Sequence, residues 1–392
     1  MSDLSGRVSR FSNSVIRRMT SISNEYGAIN LSQGFPDNDP PREVLDRLAQ
    51  VAYEGPHQYP LSHGAPNFRA ALARKASKTL KREMDPETEV VVTCGGTEAM
   101  VCTMMTLCDP GDKVMVFSPF YENYLADAIL AGAEPIYIPL TGPDFSFDPA
   151  RVEEGFRSGA KAIIVCNPSN PCGKVFTEEE LKTIGALAVK YDAFVVTDEV
   201  YEHMVYAPSC HTAMASLPGM FERTVTCSSL SKTYSMTGWR LGYLVGPERI
   251  VSQAKKVHNY LTIGTSAPLQ EAAVTALELP EQYYKDLLAD YTHRRDSFMA
   301  GLDALGLKHN VPQGTYFLLL DISDFQALPQ FAGKSDMEFC EWMIREVGVA
   351  AVPGSAFLRG EESHFVRLHF AKSEETRAEA LRRLEKLAAL LR

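Results

Sequence analysis

Through the middle of the chain, short β-branched and apolar runs alternate with longer segments whose apolar residues recur at helical spacing. That alternation predicts an α/β fold with a mainly parallel sheet. Five of the runs end in polar residues. VVVTCGGTEAM ends a strand near Cys94 and opens a helix with Gly95, Gly96 and Thr97. KVMVFSPFYENY ends one at Phe117 and presents Tyr121. AIIVCNPSNPCG ends one at Cys166 and presents Asn167 and Asn170; FVVTDEVYEHMVY ends one at Thr197 and presents Asp198 and Tyr201. TVTCSSLSK ends one near Cys227 and presents Ser229, Ser231 and Lys232. Ligands of open parallel sheets bind beyond the carboxyl ends of the strands, so five polar ends predict one pocket.

Toward the C-terminus the pattern changes. GTYFLLLDIS (Gly314–Ser323) and HFVRLHFA (His364–Ala371) read as strands flanked by helices. In the final helix Leu381, Leu384, Leu387 and Leu391 form an apolar stripe behind Ser373 as N-cap. A smaller α+β domain is therefore expected after about residue 285, joined in space by the N-terminal segment.

Composition narrows the class. With 392 residues, 45% of them hydrophobic, the chain can build two domains with a substantial core. A net charge of −10 argues against a nucleic-acid or anionic-membrane partner. The eight cysteines show neither a CxxC pair nor zinc-ligand spacing, so neither a disulfide framework nor a metal site is expected. The N-terminal residues lack the apolar stretch of a secretory signal, and nowhere do roughly 18 uncharged apolar residues run together. A soluble, cytoplasmic protein is expected.

The five strand ends carry compatible chemistry. Free N–H groups at Gly95, Gly96 and Thr97, with Ser229 and Arg240, would offer a phosphate three kinds of donor. The dinucleotide pattern GxGxxG and the nucleotide pattern GxxxxGK[ST] are both missing, which suits a single phosphate monoester. Lys232 could form a Schiff base with a carbonyl. Asp198, following an apolar strand, would be buried and need a cationic partner such as a protonated ring nitrogen. Tyr121 offers a face for a flat ring, and Asn170 and Tyr201 offer hydrogen bonds to a phenolic oxygen. Together these groups describe a site for pyridoxal 5′-phosphate.

The order and spacing of LSQGFPD, SPFYENY, NPSNPCG, TDEVY, S-x-S-K-x7-R (Ser229 to Arg240) and VRLHFA resemble a fold type I, class I aminotransferase along nearly the whole chain. LSQGFPD, GTYFLLLDIS and GVAAVPGSAF are most similar to the kynurenine, glutamine–phenylpyruvate and methionine aminotransferase group. The resemblance implies a large domain, residues 45–285, built on a mainly parallel seven-stranded sheet between helices. It also implies a small α+β domain, 286–392, and an N-terminal segment, 1–44, packing on the small domain and a dimer partner. Lys232 would carry the cofactor, Asp198 would pair with its ring nitrogen, and Asn170 and Tyr201 would meet its ring oxygen. Tyr121 would stack on the ring, while Gly96, Thr97, Ser229, Ser231 and Arg240 would hold its phosphate. Tyr59 would reach the phosphate of the other subunit, which implies a homodimer with shared sites. Arg367 would grip the substrate α-carboxylate, helped by a backbone N–H of Gly34 and by Asn170.

The expected reaction moves an amino group from an L-amino acid to a 2-oxo acid. Some aspartate aminotransferases of this class place a lysine directly after the Gly-Gly pair, where this chain has Thr97; that tilts the donor toward methionine, glutamine or aromatic amino acids. Aspartate amino transfer and C–S lysis on the same residues are the alternatives. A cofactor-binding regulator would need a DNA-binding domain ahead of LSQGFPD, which begins at Leu31. The segment Phe11–Tyr26 is a candidate lid or dimer strap.

Overall fold

The computed structural model describes residues 5–10, 13–359 and 361–392; Phe11, the first residue of the candidate strap, lies outside them. The main sheet runs Val90–Cys94, Leu241–Val245, Thr224–Ser229, Phe194–Asp198, Ala160–Cys166, Lys113–Ser118, Glu134–Thr141 and Ser146–Phe147. It has eight strands rather than the expected seven, because a two-residue strand pairs antiparallel with the Glu134–Thr141 edge. Leu241–Val245 is antiparallel to both of its neighbours, and the four pairings from Thr224–Ser229 to Glu134–Thr141 are parallel.

Both faces of this sheet are covered, which is why its strands read as continuous apolar runs rather than alternating ones. Val114, Val116, Ala162 and Ile164 join a core with Met100, Met104, Tyr124 and Val251. The intervening Met115, Phe117, Ile163 and Val165 point the other way, against Val152, Phe156, Leu181 and Ile184. The strand ends fall one or two residues later than expected at Ser118, Asp198 and Ser229, because these polar residues still belong to the ladder.

The C-terminal half carries a three-stranded antiparallel sheet with Phe365–His369 between Phe317–Asp321 and Val352–Pro353. Helix Glu374–Ala388 packs on it behind Ser373, whose side chain accepts the Thr376 N–H. Leu384 and Leu387 are fully buried and Leu381 packs against them, but Leu391 is exposed. The α-helix ends at Ala388 and a 3-10 turn swings Leu391 off the stripe. Met19 and Leu31 belong to this second core, and Ile29–Asn30 pairs in parallel with Val349–Ala350. Helix Glu281–Ala304 runs across position 285 without a break.

Candidate active site

The polar ends of the main sheet open toward the small sheet, and the loop Ser32–Gly34 lies between them. Lys232 follows the Thr224–Ser229 strand, and its Nζ donates to the Gly34 carbonyl at 3.1 Å. Tyr316 donates its hydroxyl to the same carbonyl at 2.9 Å. The expected contribution of Gly34 was an N–H; its carbonyl is the group engaged here. A Cβ at Gly34 would stand 2.5 Å from the Phe317 ring, so only glycine lets the loop approach this closely.

Asp198 ends its strand deep in the protein while keeping part of its surface open to the cleft. Burial raises its pKa; the Tyr124 hydroxyl at 2.7 Å, the Val200 N–H at 3.3 Å and the charge of Lys232 act in the opposite direction. Among the described residues no cation lies within ion-pair distance of it. A carboxylate in that position gains a favourable partner when a protonated ring nitrogen arrives. The donor set therefore fits pyridoxal 5′-phosphate.

Tyr124 was missed by sequence reasoning. It lies three residues beyond Tyr121, and the two rings meet edge to face with centroids 5.7 Å apart. Burial pushes the half-buried Tyr121 hydroxyl up to about 12. Tyr124→Phe is expected to lower kcat/KM by about tenfold or more, the loss of one hydrogen bond to a charged group. Steady-state kinetics of the variant check this, with unchanged kinetics as the contrary result.

At the other end of the sheet, Gly95 and Gly96 start helix Gly95–Leu107. Gly95 has φ +77°, and a Cβ there would overlap the Arg240 guanidinium. The absent side chain lets that guanidinium lie against the helix start, where Arg240 Nη1 also donates to the Thr237 carbonyl at 3.0 Å. Gly242 is equally constrained, since a Cβ would meet the Gly95 backbone at 2.2 Å. A Cβ on Gly96 would come 3.8 Å from Ser229 Cβ, so these two residues face one another. Buried Ser231 donates its N–H to Ser229 Oγ at 3.3 Å. Thr97 is exposed and accepts from Asn123 Nδ2 at 3.3 Å. N–H groups, a hydroxyl and a guanidinium thus gather at one helix N-terminus, an arrangement suited to a phosphate.

Arg367 lies on the central strand of the small sheet, opposite Leu319 on one side and Val352 on the other. It is 1% exposed, donating at 2.7 Å to Asn170 Oδ1 and at 2.7 Å to the Ser32 carbonyl. Phe317 and Phe357 pack against the guanidinium, 4.1 and 4.9 Å from its carbon to their centroids. Burial lowers its pKa to about 10, so it stays protonated at neutral pH. No carboxylate pairs with it among the described residues, and its Nε has no partner there. An arginine so enclosed is uncommon unless it awaits an anion.

Tyr201 is buried, its ring centroid 5.8 Å from Lys232 Nζ and edge-on to Tyr316. The loop to which Tyr201 belongs is held by the half-buried ion pair of Lys75 with Glu202. Tyr59 stands apart from all of these. It is 83% exposed and takes no part in the core.

This fold and this set of groups define a pyridoxal-phosphate-dependent transferase. Residues 26–384 match the family model for class I and II aminotransferases, and the chain belongs to that family. It is 36% identical to a probable N-succinyldiaminopimelate aminotransferase of Mycobacterium tuberculosis, over 97% of this chain and 98% of that one. The mouse kynurenine–oxoglutarate transaminase 3 is 35% identical, covering 94% and 87% of the two chains. The crystal structure of an Escherichia coli methionine aminotransferase superposes with a TM-score of 0.92 at 33% identity, covering 98% and 100%. The chain is an amino-acid aminotransferase acting with a 2-oxo acid and pyridoxal 5′-phosphate.

Proposed function

We propose that the enzyme favours neutral donors such as methionine, glutamine or aromatic amino acids. The observation that supports a 2-amino acid donor is the buried Arg367, a guanidinium with no carboxylate partner among the described residues. Against a distal carboxylate on the donor stand neutral Thr97 and the Glu122 carboxylate, which follows Tyr121 and accepts the Ser14 hydroxyl at 2.5 Å. The names of two relatives, with kynurenine and methionine, favour the same group, while N-succinyldiaminopimelate, in the name of another, carries distal carboxylates and favours the alternative.

When bound, the cofactor supplies an electron sink conjugated to the donor Cα. Arg367 Nη1 and Nη2 would fork onto the α-carboxylate, exchanging the Asn170 and Ser32 oxygens for a charged acceptor and fixing the Cα–H direction. Lys232 would be the residue that holds the cofactor, and its Nζ would be the base that takes the proton from the donor Cα and the acid that gives it back. Asp198, held by Tyr124, would keep the ring nitrogen protonated; Asn170 and Tyr201 would meet the ring oxygen and Tyr121 the ring face. Gly96, Thr97, Ser229, Ser231 and Arg240 would hold the phosphate.

Exposed Tyr59 would serve the site of a second subunit, making the enzyme a homodimer. Exposed Tyr53 and Leu61, close to Tyr59 in sequence, and exposed Tyr260 and Ile263, beside Gly264 whose Cα faces Ser62, supply apolar surface for that contact. We read the chain as residues 1–44, 45–285 and 286–392, with the cores interlocking across these bounds: Tyr201, Met204 and Tyr206 pack into the C-terminal core and Leu319 into one of the main sheet. No helix among the described residues is long and apolar enough to cross a membrane, and a cytoplasmic location is the reading we favour.

A panel of methionine, glutamine, phenylalanine, kynurenine and aspartate, each with 2-oxoglutarate and pyruvate, tests the donor class. The neutral donors are expected to exceed aspartate in kcat/KM by at least about tenfold. Preference for aspartate would reverse the assignment. Keto acid formed without any added acceptor would instead mark a lyase.

A further inference from the structure

Behind the phosphate-binding end of helix Gly95–Leu107 lies a buried cluster that the reaction as described does not use. Glu98, in the first turn, is 7% exposed, and His258, from helix Glu248–Thr262, is fully buried. One Glu98 oxygen accepts from His258 Nδ1 at 2.9 Å and from the Thr262 hydroxyl at 3.0 Å. Its other oxygen accepts the N–H of Cys94, the residue directly before the two glycines. The far nitrogen of the ring, His258 Nε2, meets the Ser62 carbonyl at 2.7 Å. Ser62 lies three residues beyond Tyr59. Both ring nitrogens are thus engaged by protein groups.

Cys102 completes a group whose ligand-type atoms lie within 4.8 Å of one another. Both His258 nitrogens and both Glu98 oxygens are already engaged with protein groups, so this is a hydrogen-bonded cluster and not a metal centre.

We propose that Glu98 and His258 are positioning residues for the cofactor phosphate: they fix the Cys94–Thr97 turn from below and tie it to the loop that carries Tyr59. The inference rests on the assignment of the helix start as the phosphate site. Buried charges are costly unless fully paired, and this pair is fully paired at the one helix start whose N–H groups must point in a fixed direction. Neither side chain touches the cleft through a bond that would involve the ring or aldehyde of the cofactor. Their effect should therefore be confined to the phosphate.

The test compares pyridoxal 5′-phosphate with pyridoxal, which lacks the phosphate, by titrating the cofactor-free protein and following the visible absorbance. Wild type is expected to bind the phosphorylated form far more tightly. Glu98→Gln keeps the shape but turns an N–H toward a donor, and should weaken pyridoxal 5′-phosphate roughly tenfold or more while changing pyridoxal less than about threefold. Thr262→Val, a milder change at the same oxygen, should move the same ratio in the same direction and serves if Glu98→Gln does not fold. Equal weakening of both ligands, or no change in either, would overturn the positioning role. A wild type that does not discriminate between the two ligands would instead overturn the phosphate site itself.

Discussion

Lys232→Ala is expected to lower amino transfer by about four orders of magnitude or more, the upper range for losing a general acid–base group. The loss should be larger than for any other single substitution in the cleft, because the two roles proposed for Lys232 would end together: the covalent hold on the cofactor and the proton transfer at Cα. The geometry explains why no neighbour could take over. Tyr201 and Tyr316 flank the Lys232 amine, and neither carries a comparable base at neutral pH. Lys75 is committed to its half-buried pair with Glu202. Lys372 is committed to Asp37 at 2.6 Å. Folding should be little affected, since Lys232 forms one hydrogen bond, to the Gly34 carbonyl. Single-turnover assays with the purified variant check this; turnover within about tenfold of wild type would remove Lys232 from the chemistry.

Arg367→Met is expected to cut kcat/KM for amino acids by about 10²–10³-fold, as when one partner of a buried, hydrogen-bonded charge pair is removed. The substitution separates function from stability. Arg367 bears the desolvation of a buried cation and receives in return the Asn170 and Ser32 oxygens and the faces of Phe317 and Phe357, with no carboxylate among the described residues. Methionine between Phe317 and Phe357 fills similar space without a charge, and such replacements are often neutral or stabilising. The thermal midpoint should therefore not fall by more than a few degrees. An amine without a carboxylate should react equally poorly with both enzymes. Unchanged amino-acid kinetics, or an equal loss toward the carboxylate-free amine, would contradict the role given to Arg367.

Much of this architecture is legible in the sequence because its strongest signals are local. The buried strands announce themselves as apolar runs, and the chemistry sits immediately beyond their ends, where a polar residue after a β-branched run is conspicuous. The N-cap Ser373 and the strands around Phe317 and Arg367 are local in the same sense. What escapes is what the chain brings together from afar. Nothing in SPFYENY says that Tyr124 will donate to a carboxylate seventy-four positions later. The engagement of the Gly34 carbonyl, in place of its N–H, depends on how closely Phe317 approaches the loop. The sandwich of Phe317 and Phe357 around Arg367 joins two segments whose apolar patterns read only as core. Ser146–Phe147 is too short for any periodicity, and Leu391 fits the helical stripe until the helix stops before it.

The measurement that tests the account most directly is borohydride reduction of the purified holoenzyme followed by peptide mass mapping. A carbon–nitrogen bond between the cofactor aldehyde and Lys232 predicts loss of the yellow colour on reduction and a single cofactor-labelled peptide, the one containing Lys232. A colourless protein, or a label on any other lysine, would contradict it.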